Sequence, residues 1–180
     1  KALYGPPGIG LLLVSDRVSP APFVRGGTGN LSEERAQPEF YPDRLESGSL
    51  NVPGIAGLGA ALDFVSEIGI AELYGKSMAL ADRLAEMAGN IRGIELYLPD
   101  HDTPRVPVLA LNITKRDPAE VSALLDSRYG IAIRSGYHCA PAAHRALGTM
   151  DEGCLRFSTG WFNTPEEIER TGQALAELAR

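Results

Sequence analysis

The strongest constraint on the fold is the order of apolar runs and amphipathic stretches that begins near residue 90. Short apolar runs predict strands, whereas apolar residues at helical spacing predict helices. In chain order these are predicted strands at 93–98 and 106–113, a helix at 117–129, strands at 130–135 and 154–160, and a helix at 164–180. Strands and helices in this order predict an α/β or α+β layer, with the helices on one face of a sheet.

Both of these predicted helices have distinct start signals. Asp117 is a suitable N-cap, followed by Pro118 at the first helical position and Glu120 at the third. A short polar side chain at the N-cap accepts hydrogen bonds from first-turn N–H groups, and proline fits the first turn because its missing N–H is not needed there. Thr164 and Pro165 repeat this arrangement before the last helix.

The first half of the chain is less regular. The apolar run IGLLLV (9–14) predicts a buried strand, and residues 15–53 predict a long irregular segment because they are rich in Gly, Pro, Ser and charged residues. Such long loops in a compact protein are usually functional or disordered. Apolar residues at near-helical spacing then predict helices at 55–68 and at about 71–88.

Charge and cysteine usage narrow the range of partners. Seventeen basic against 23 acidic residues give a net charge of −6 without a basic cluster, so we expect no binding to nucleic acid or to membranes. No apolar run approaches the ~20 residues of a membrane-spanning helix. Two cysteines do not make a disulfide framework, and we therefore expect a reduced, cytoplasmic compartment.

The motif RSGYHCAP, which begins at Arg134, places a cysteine at the end of a predicted strand and before a turn at its Ala-Pro pair. Arg134 and His138 would favour the thiolate of Cys139, the reactive form of the side chain, and a loop position would leave it accessible. The alternative is a buried, inert cysteine. A zinc site of Cys139, His144 and Cys154 lacks the paired cysteine spacing of structural zinc sites, so we expect no metal.

Three further features suit ligand binding, and each has a plainer alternative. An inward-pointing Arg156 needs an anion, either a carboxylate held in a bidentate fork or an internal salt-bridge partner. Lys1, before a glycine-rich turn, is either a Schiff-base amine or a solvated surface lysine. The loops GGTG (26–29) and ESGS (46–49) offer backbone N–H groups and hydroxyls to a phosphate, or they are ordinary turns.

Five segments in order resemble the C-terminal half of the cysteine desulfurases and selenocysteine lyases, which belong to the class V aminotransferase family. They are K-ALYGPPGIG, GGTG, LESGSLNVPGIAGL, YGIAIRSGYHCAP and LRFSTGWFNTPEEI. The resemblance implies an α/β fold, fold type I of the pyridoxal 5'-phosphate (PLP) enzymes. It implies that residues 1–70 end a large PLP-binding domain, that 71–90 form a linking helix, and that 91–180 form the small C-terminal domain. We therefore expect an N-terminal half of the same enzyme to supply the rest of the large domain.

The resemblance also implies roles for individual residues. Lys1 matches the lysine that carries PLP. Thr28 and Ser49 lie in loops that relatives direct toward the cofactor phosphate of a partner subunit. Cys139 matches the nucleophile that takes sulfur from the substrate. The implied substrate-binding residues are Arg134, His138 and Arg156, of which the last holds the substrate carboxylate.

The implied reaction removes sulfur from L-cysteine, giving L-alanine and a persulfide on Cys139, and selenocysteine is an alternative substrate. The implied partners are a sulfur-acceptor protein, acting in iron–sulfur cluster assembly, and a second copy in a homodimer. Two alternatives stay open. One is another class V enzyme, such as an aminotransferase, an epimerase or a kynureninase-like lyase, whose chemistry needs no cysteine there. The other is an inactive C-terminal fragment that folds and dimerises.

Overall fold

The computed structural model describes residues 3–31, 33–100 and 103–180. The chain divides into two compact units, Lys1–Ile68 and Gly69–Arg180. The helix expected to link two domains therefore groups with the C-terminal unit. The assignment of the first unit to the end of a larger cofactor-binding domain stays a prediction.

Among its described residues, the first unit contains one helix, α1 (Val52–Ile68), and a long irregular segment before it. The side chain of Asn51 accepts a hydrogen bond from the Gly54 N–H at 3.1 Å, which satisfies a donor of the first helical turn. Leu58 and Val65 are buried on one face of the helix. The predicted helix at 55–68 is confirmed, and it begins slightly earlier than predicted.

The strand predicted at 9–14 is wrong. These residues are irregular, and the part of the first unit that the structure describes contains no strand. Leu11, Leu12 and Leu13 are exposed, the last of them by 91 %. A strand needs a neighbouring strand to pair its backbone N–H and C=O groups, and a single strand has no such partner. The run is apolar in sequence, but its leucines are exposed to solvent among the residues that the structure describes.

The part of the second unit that the structure describes combines four strands with four helices. The strands are β1 (Ile94–Tyr97), β2 (Val108–Ile113), β3 (Arg134–Gly136) and β4 (Cys154–Ser158). The helices are α2 (Ile70–Gly89), α3 (Pro118–Tyr129), α4 (Pro141–Leu147) and α5 (Pro165–Leu178). The sheet order is β1-β2-β4-β3, and every neighbouring pair is antiparallel. No single helix among the described residues is long and apolar enough to cross a membrane, and α1 and α2 meet that test only when taken as a pair.

The sheet has one apolar face and one polar face. Successive strand residues point to opposite faces, so Leu155 and Phe157 of β4 share the apolar face. They join one core cluster with buried residues of α2, α3 and α5, among them Leu84, Leu125 and Leu175. This confirms the predicted layer of helices on one face. Residues of β2 and β4 that alternate with the core positions lie on the opposite face, among them Asn112, Cys154 and Arg156.

The helix starts were predicted correctly. The Asp117 carboxylate accepts hydrogen bonds from the Ala119 N–H at 2.6 Å and the Glu120 N–H at 3.1 Å, and α3 begins at the next residue. Before α5, Thr164 and Glu167 form a reciprocal capping box. These interactions satisfy N–H groups that have no acceptor within the helix.

Two predictions around the cysteine motif need correction. Of the strand predicted at 130–135, only the end pairs with β4, because the Ile131 N–H donates back to the Leu125 carbonyl of α3 at 2.9 Å. The turn expected after Ala140 is instead the start of α4. Pro141 at the start and a left-handed Gly148 at the end are signals for this short helix that were present in the sequence.

Candidate active site

Cys139 lies on a tight loop between β3 and α4. Both His138 (φ 53°) and Cys139 (φ 58°) adopt the left-handed conformation, which costs a residue with a side chain about 1–2 kcal/mol. The loop is closed by the Ala140 N–H, which donates to the Tyr137 carbonyl at 2.8 Å. The Tyr137 hydroxyl donates to the carbonyl of Met150 at 2.8 Å and ties the loop to the chain beyond α4. Cys139 is exposed, so the alternative of a buried, inert cysteine fails.

His138 is half-buried beneath this loop. Its ring stacks on that of His144 with centroids 5.8 Å apart, and its Nδ1 lies 3.9 Å from the Cys154 Sγ. Burial lowers the pKa of His138, and a hydrogen bond to the Arg134 backbone only partly opposes this effect. The imidazole is therefore mainly neutral near pH 7. His138 therefore does not supply the positive charge that the sequence suggested beside the thiol.

Two arginines face each other on the polar face of the sheet. Arg134 of β3 and Arg156 of β4 are direct cross-strand partners. The Arg156 Nε is buried and has no hydrogen-bond partner within the described ranges. Nor does Arg156 have an ion-pair partner there, so the internal salt bridge considered from the sequence is not found. Such a pair suits an anion with two oxygens, and a carboxylate is the simplest.

The first unit holds the two hydroxyl-bearing loops close together. The Gly48 N–H donates to the Gly27 carbonyl at 2.6 Å and joins the loops that contain Thr28 and Ser49. A side chain added at Gly27 or at Gly48 would meet no atom within 4 Å, so there is open space beside both glycines. The Thr28 hydroxyl is engaged by Asn30, whereas Ser49 is exposed. These loops fit a phosphate, with Ser49 the more available hydroxyl. Lys1 lies outside the described residues.

The sequence did not single out the full surroundings of Cys154. His144 and Cys154 are each only 3 % exposed, and burial raises the pKa of the Cys154 thiol. His144 Nδ1 lies 2.7 Å from the Thr149 Oγ1. One donor atom from each of His138, His144 and Cys154 lies within 4.8 Å of the other two. Asn112 accepts from the Leu155 N–H at 3.3 Å and donates to the Gly153 carbonyl at 3.0 Å, holding the backbone on both sides of Cys154. No sequence spacing predicts this cluster, because its members come from a loop, a helix and a strand.

Comparison with known proteins identifies relatives over the whole chain. The family model for aminotransferase class-V matches residues 1–171. A probable cysteine desulfurase of Methanothermobacter thermautotrophicus is 35 % identical over 99 % of this chain and 46 % of its own length. A cysteine desulfurase of Enterobacter sp. (strain 638) is 40 % identical over 98 % of this chain and 43 % of its own. The crystal structure of the cysteine desulfurase CsdA from Escherichia coli superposes with a TM-score of 0.81 at 27 % identity, over 98 % of this chain and 44 % of that one.

These matches establish the fold class and show how much of its relatives' length the chain covers. They confirm the predicted α/β fold class, that of the fold type I PLP enzymes. The chain spans less than half the length of the curated relatives it matches. The matched region includes both units, from the glycine-rich loops to α5.

Proposed function

Because this chain belongs to the class V aminotransferase family, we propose that the enzyme carrying it is a PLP-dependent cysteine desulfurase that acts on L-cysteine. The names of its relatives support this reaction. The observation that carries the proposal is the exposed Cys139 thiol, on a strained loop that directly follows the strand bearing Arg134. An aminotransferase needs no thiol at this position. The strain in this loop is consistent with a functional role, since strained backbone persists only where the surroundings hold it.

In this proposal the arginine pair binds the carboxylate of the substrate. Arg156 offers its buried, unpartnered Nε, and Arg134 stands opposite on the neighbouring strand. Charge-assisted hydrogen bonds to a carboxylate are stronger than neutral ones, and two donors in a fork also fix its orientation. A fixed carboxylate presents the substrate's side chain in one direction, which lowers the entropic part of the barrier.

Cys139 is the nucleophile that takes the sulfur atom from the substrate. Its thiolate forms a bond to the substrate sulfur while the substrate's Cβ–S bond breaks. The electron pair of the broken bond stays with the carbon, which takes up a proton to become alanine, and Cys139 keeps the sulfur as a persulfide. PLP, when bound, supplies the electron sink for this cleavage. Lys1 would hold the cofactor covalently, and Thr28 and Ser49 would bind its phosphate.

The same proposal names the partners. An exposed thiol on a surface loop is accessible to a sulfur-acceptor protein, such as one that serves iron–sulfur cluster assembly. The N-terminal half of the enzyme would cover the exposed leucines of the first unit. A homodimer would let Thr28 and Ser49 reach the cofactor of the second subunit. A free, reactive thiol suits a reduced compartment, in keeping with a cytoplasmic location.

The test is the mass of two peptides. Trypsin separates Cys139, on the peptide 135–145, from Cys154, on 146–156. The whole enzyme with PLP is incubated with L-cysteine and digested without reductant. We expect one added sulfur atom on the first peptide, none on the second, and L-alanine in solution. Cys139→Ser is the matched control, and it should keep the cofactor absorbance but produce no persulfide.

Other outcomes would assign the protein differently. An unmodified Cys139 with PLP still bound would place the enzyme in another class V branch, such as an aminotransferase or a lyase. Faster alanine production from selenocysteine than from cysteine would make it a selenocysteine lyase. A protein that binds no PLP at all would be an inactive relative.

A further inference from the structure

Three metal-ligating side chains converge beneath the Cys139 loop. The family resemblance implies substrate binding for His138, and His144 and Cys154 have no assigned role. We propose that His138, His144 and Cys154 form a binding site for a divalent transition-metal ion of the zinc class. One donor atom of each residue lies within 4.8 Å of the donors of the other two. Two imidazole nitrogens and a thiolate are the ligands that zinc and its neighbours in the first transition row prefer.

The two imidazoles each have a nitrogen available for the metal. His144 Nδ1 lies 2.7 Å from the Thr149 Oγ1, and when it donates there its Nε2 carries the free lone pair. The Nε2 of His138 is buried without a hydrogen-bond partner among the described residues. A buried nitrogen without a partner costs free energy, and a metal ion bound through Nε2 would remove that cost, whereas one bound through Nδ1, the nitrogen 3.9 Å from the Cys154 Sγ, would not. Thr149 acts as the outer hydrogen-bond partner that typically orients a metal-bound histidine.

The thiol of Cys154 is held in place by its neighbours. Asn112 of β2 binds the backbone carbonyl before Cys154 and the backbone N–H after it, at 3.0 and 3.3 Å. In a tetrahedral zinc site the donors are about 3.3–3.6 Å apart, given Zn–N bonds of ~2.0 Å and Zn–S bonds of ~2.3 Å. Donors up to 4.8 Å apart therefore need to approach by about 1.2–1.5 Å. His138 can supply that movement because it lies on a loop, whereas β4 and α4 position the other two residues.

The two arginines on this face of the sheet affect how tightly a metal ion can bind there. Arg156 is two residues from Cys154 on the same face, and Arg134 stands opposite Arg156. Their charges disfavour a cation. Burial raises the pKa of the Cys154 thiol, and the charge of Arg156 partly opposes this by favouring the thiolate form that a metal needs. Three protein ligands leave one position open for water or another thiolate. The arrangement therefore suits a reversible site rather than a closed structural one.

Metal binding would restrain the residue directly before Cys139. The His138 ring would be fixed to the sheet, and the Cys139 loop would lose freedom to move. We expect zinc to inhibit sulfur transfer reversibly, and this consequence alone rests on the proposed function. Metal binding itself does not rest on the proposed function, so an experiment can contradict either one without contradicting the other.

The test uses Co²⁺ as a spectroscopic substitute for Zn²⁺. The whole, reduced protein is titrated with Co²⁺, and difference spectra against the metal-free protein remove any cofactor absorbance. We expect one equivalent to produce a near-ultraviolet thiolate-to-cobalt charge-transfer band, and Zn²⁺ to abolish it. Cys154→Ser should lose the band, whereas the matched variant Cys139→Ser should keep it. Thr149→Val should weaken binding by about 10- to 100-fold, the usual effect of removing an outer hydrogen-bond partner.

A second variant guards against misfolding of Cys154→Ser. His138→Asn changes a half-buried loop residue outside the core cluster, and it should also lose tight binding. Unchanged binding in His138→Asn would overturn the three-ligand site. So would a missing band at saturating Co²⁺ in the wild type. A band that disappears with Cys139→Ser and persists with Cys154→Ser would assign the metal to the exposed thiol instead.

Discussion

Arg134 and Arg156 are paired directly across the antiparallel strands β3 and β4, with Ala110 of β2 on the other side of Arg156. Like charges at directly opposed strand positions destabilise a sheet. The pair therefore has an electrostatic cost that an anion between the two guanidinium groups would relieve. Such a local loss of stability is typical of binding sites, where the repulsion between like charges is relieved only when the ligand binds.

The first prediction concerns this pair. Arg156→Gln should weaken binding of the substrate carboxylate by about 1.5–3 kcal/mol, the worth of hydrogen bonds to a charged group. That corresponds to about a 10- to 150-fold loss in affinity. Without ligand, the midpoint of urea unfolding should stay the same or rise because a repulsion is removed. Titration calorimetry with L-cysteine in a Cys139→Ser background, which cannot turn the substrate over, and urea unfolding measure the two effects.

Arg92→Gln is the matched control, since Arg92 is exposed and outside the sheet. It should change neither quantity. Cysteine affinity that is the same in Arg156→Gln as in the wild type would remove Arg156 from the substrate site.

The second prediction concerns the close approach of two backbone segments where β3 ends and β4 begins. Gly153 has φ 74°, and a Cβ there would stand 2.7 Å from the Cα of Gly136 and 2.8 Å from its carbonyl carbon. Backbone cannot move aside as a flexible side chain can. Gly153→Ala should therefore lower the free energy of unfolding by about 1–2 kcal/mol for the left-handed backbone. The steric overlap should add about 1–3 kcal/mol more.

Gly130→Ala separates the two contributions. Gly130 also has a positive φ, 65°, but a Cβ there would meet nothing within 4 Å. Gly130→Ala should therefore lower the free energy of unfolding only by the contribution of the left-handed backbone. Urea unfolding of both variants measures the difference, and equal losses would mean that the strands separate to admit the new methyl group.

The sequence predicted best those features that depend on neighbours along the chain. Asp117 and Thr164 cap their helices as expected because an N-cap interacts with N–H groups two or three residues later. The three-residue length of β3 was not predictable, since it depends on the Ile131 N–H bonding back to α3 rather than to β4. The run at 9–14 has the composition of a strand, but the described residues of the first unit contain no strand with which it could pair.

The site was predictable only in part, for a related reason. Cys139, Arg134 and Arg156 were identified because the chemistry of a thiol or a guanidinium is evident in one residue. The position of Arg156 opposite Arg134 depends on strand register, which the sequence alone did not give. The cluster around Cys154 depends on three elements that meet only after folding.

The third prediction concerns the exposed apolar segment of the first unit. Leu12→Ser should leave the stability of the 180-residue chain nearly unchanged because this side chain is already exposed. In the longer enzyme the same substitution should cost about 1.5–3 kcal/mol, if the other half buries the segment fully. Urea unfolding of Leu12→Ser and of the wild type is compared in the 180-residue chain and in the longer enzyme, and the shorter chain serves as the control. Equal effects in the two contexts would show that the other half does not cover Leu12.

The last prediction concerns acid stability at the start of α5. The Asn163 side chain donates to the Glu167 carboxylate at 2.9 Å, and the Thr164 N–H donates to it at 3.1 Å. The Asn163 bond is the larger cause of the lowered pKa of Glu167, and the Thr164 bond adds to it. A lowered pKa means that the folded state holds its proton less tightly than the unfolded state. The resulting stabilisation is present above the ordinary value of 4.5 and is lost as the pH falls through the lowered value.

Glu167→Gln isolates this effect because glutamine keeps an acceptor for the Thr164 N–H but carries no charge. We expect the wild type to be the more stable protein at pH 7 and the difference in urea midpoint to shrink as the pH falls below the ordinary value. Asn163→Ala removes the larger cause, so it should reduce the pH-dependent part of the difference while leaving the Thr164 hydrogen bond in place. A difference in midpoint that stays constant from pH 7 into the acid range would mean that the charge of Glu167 does not stabilise α5.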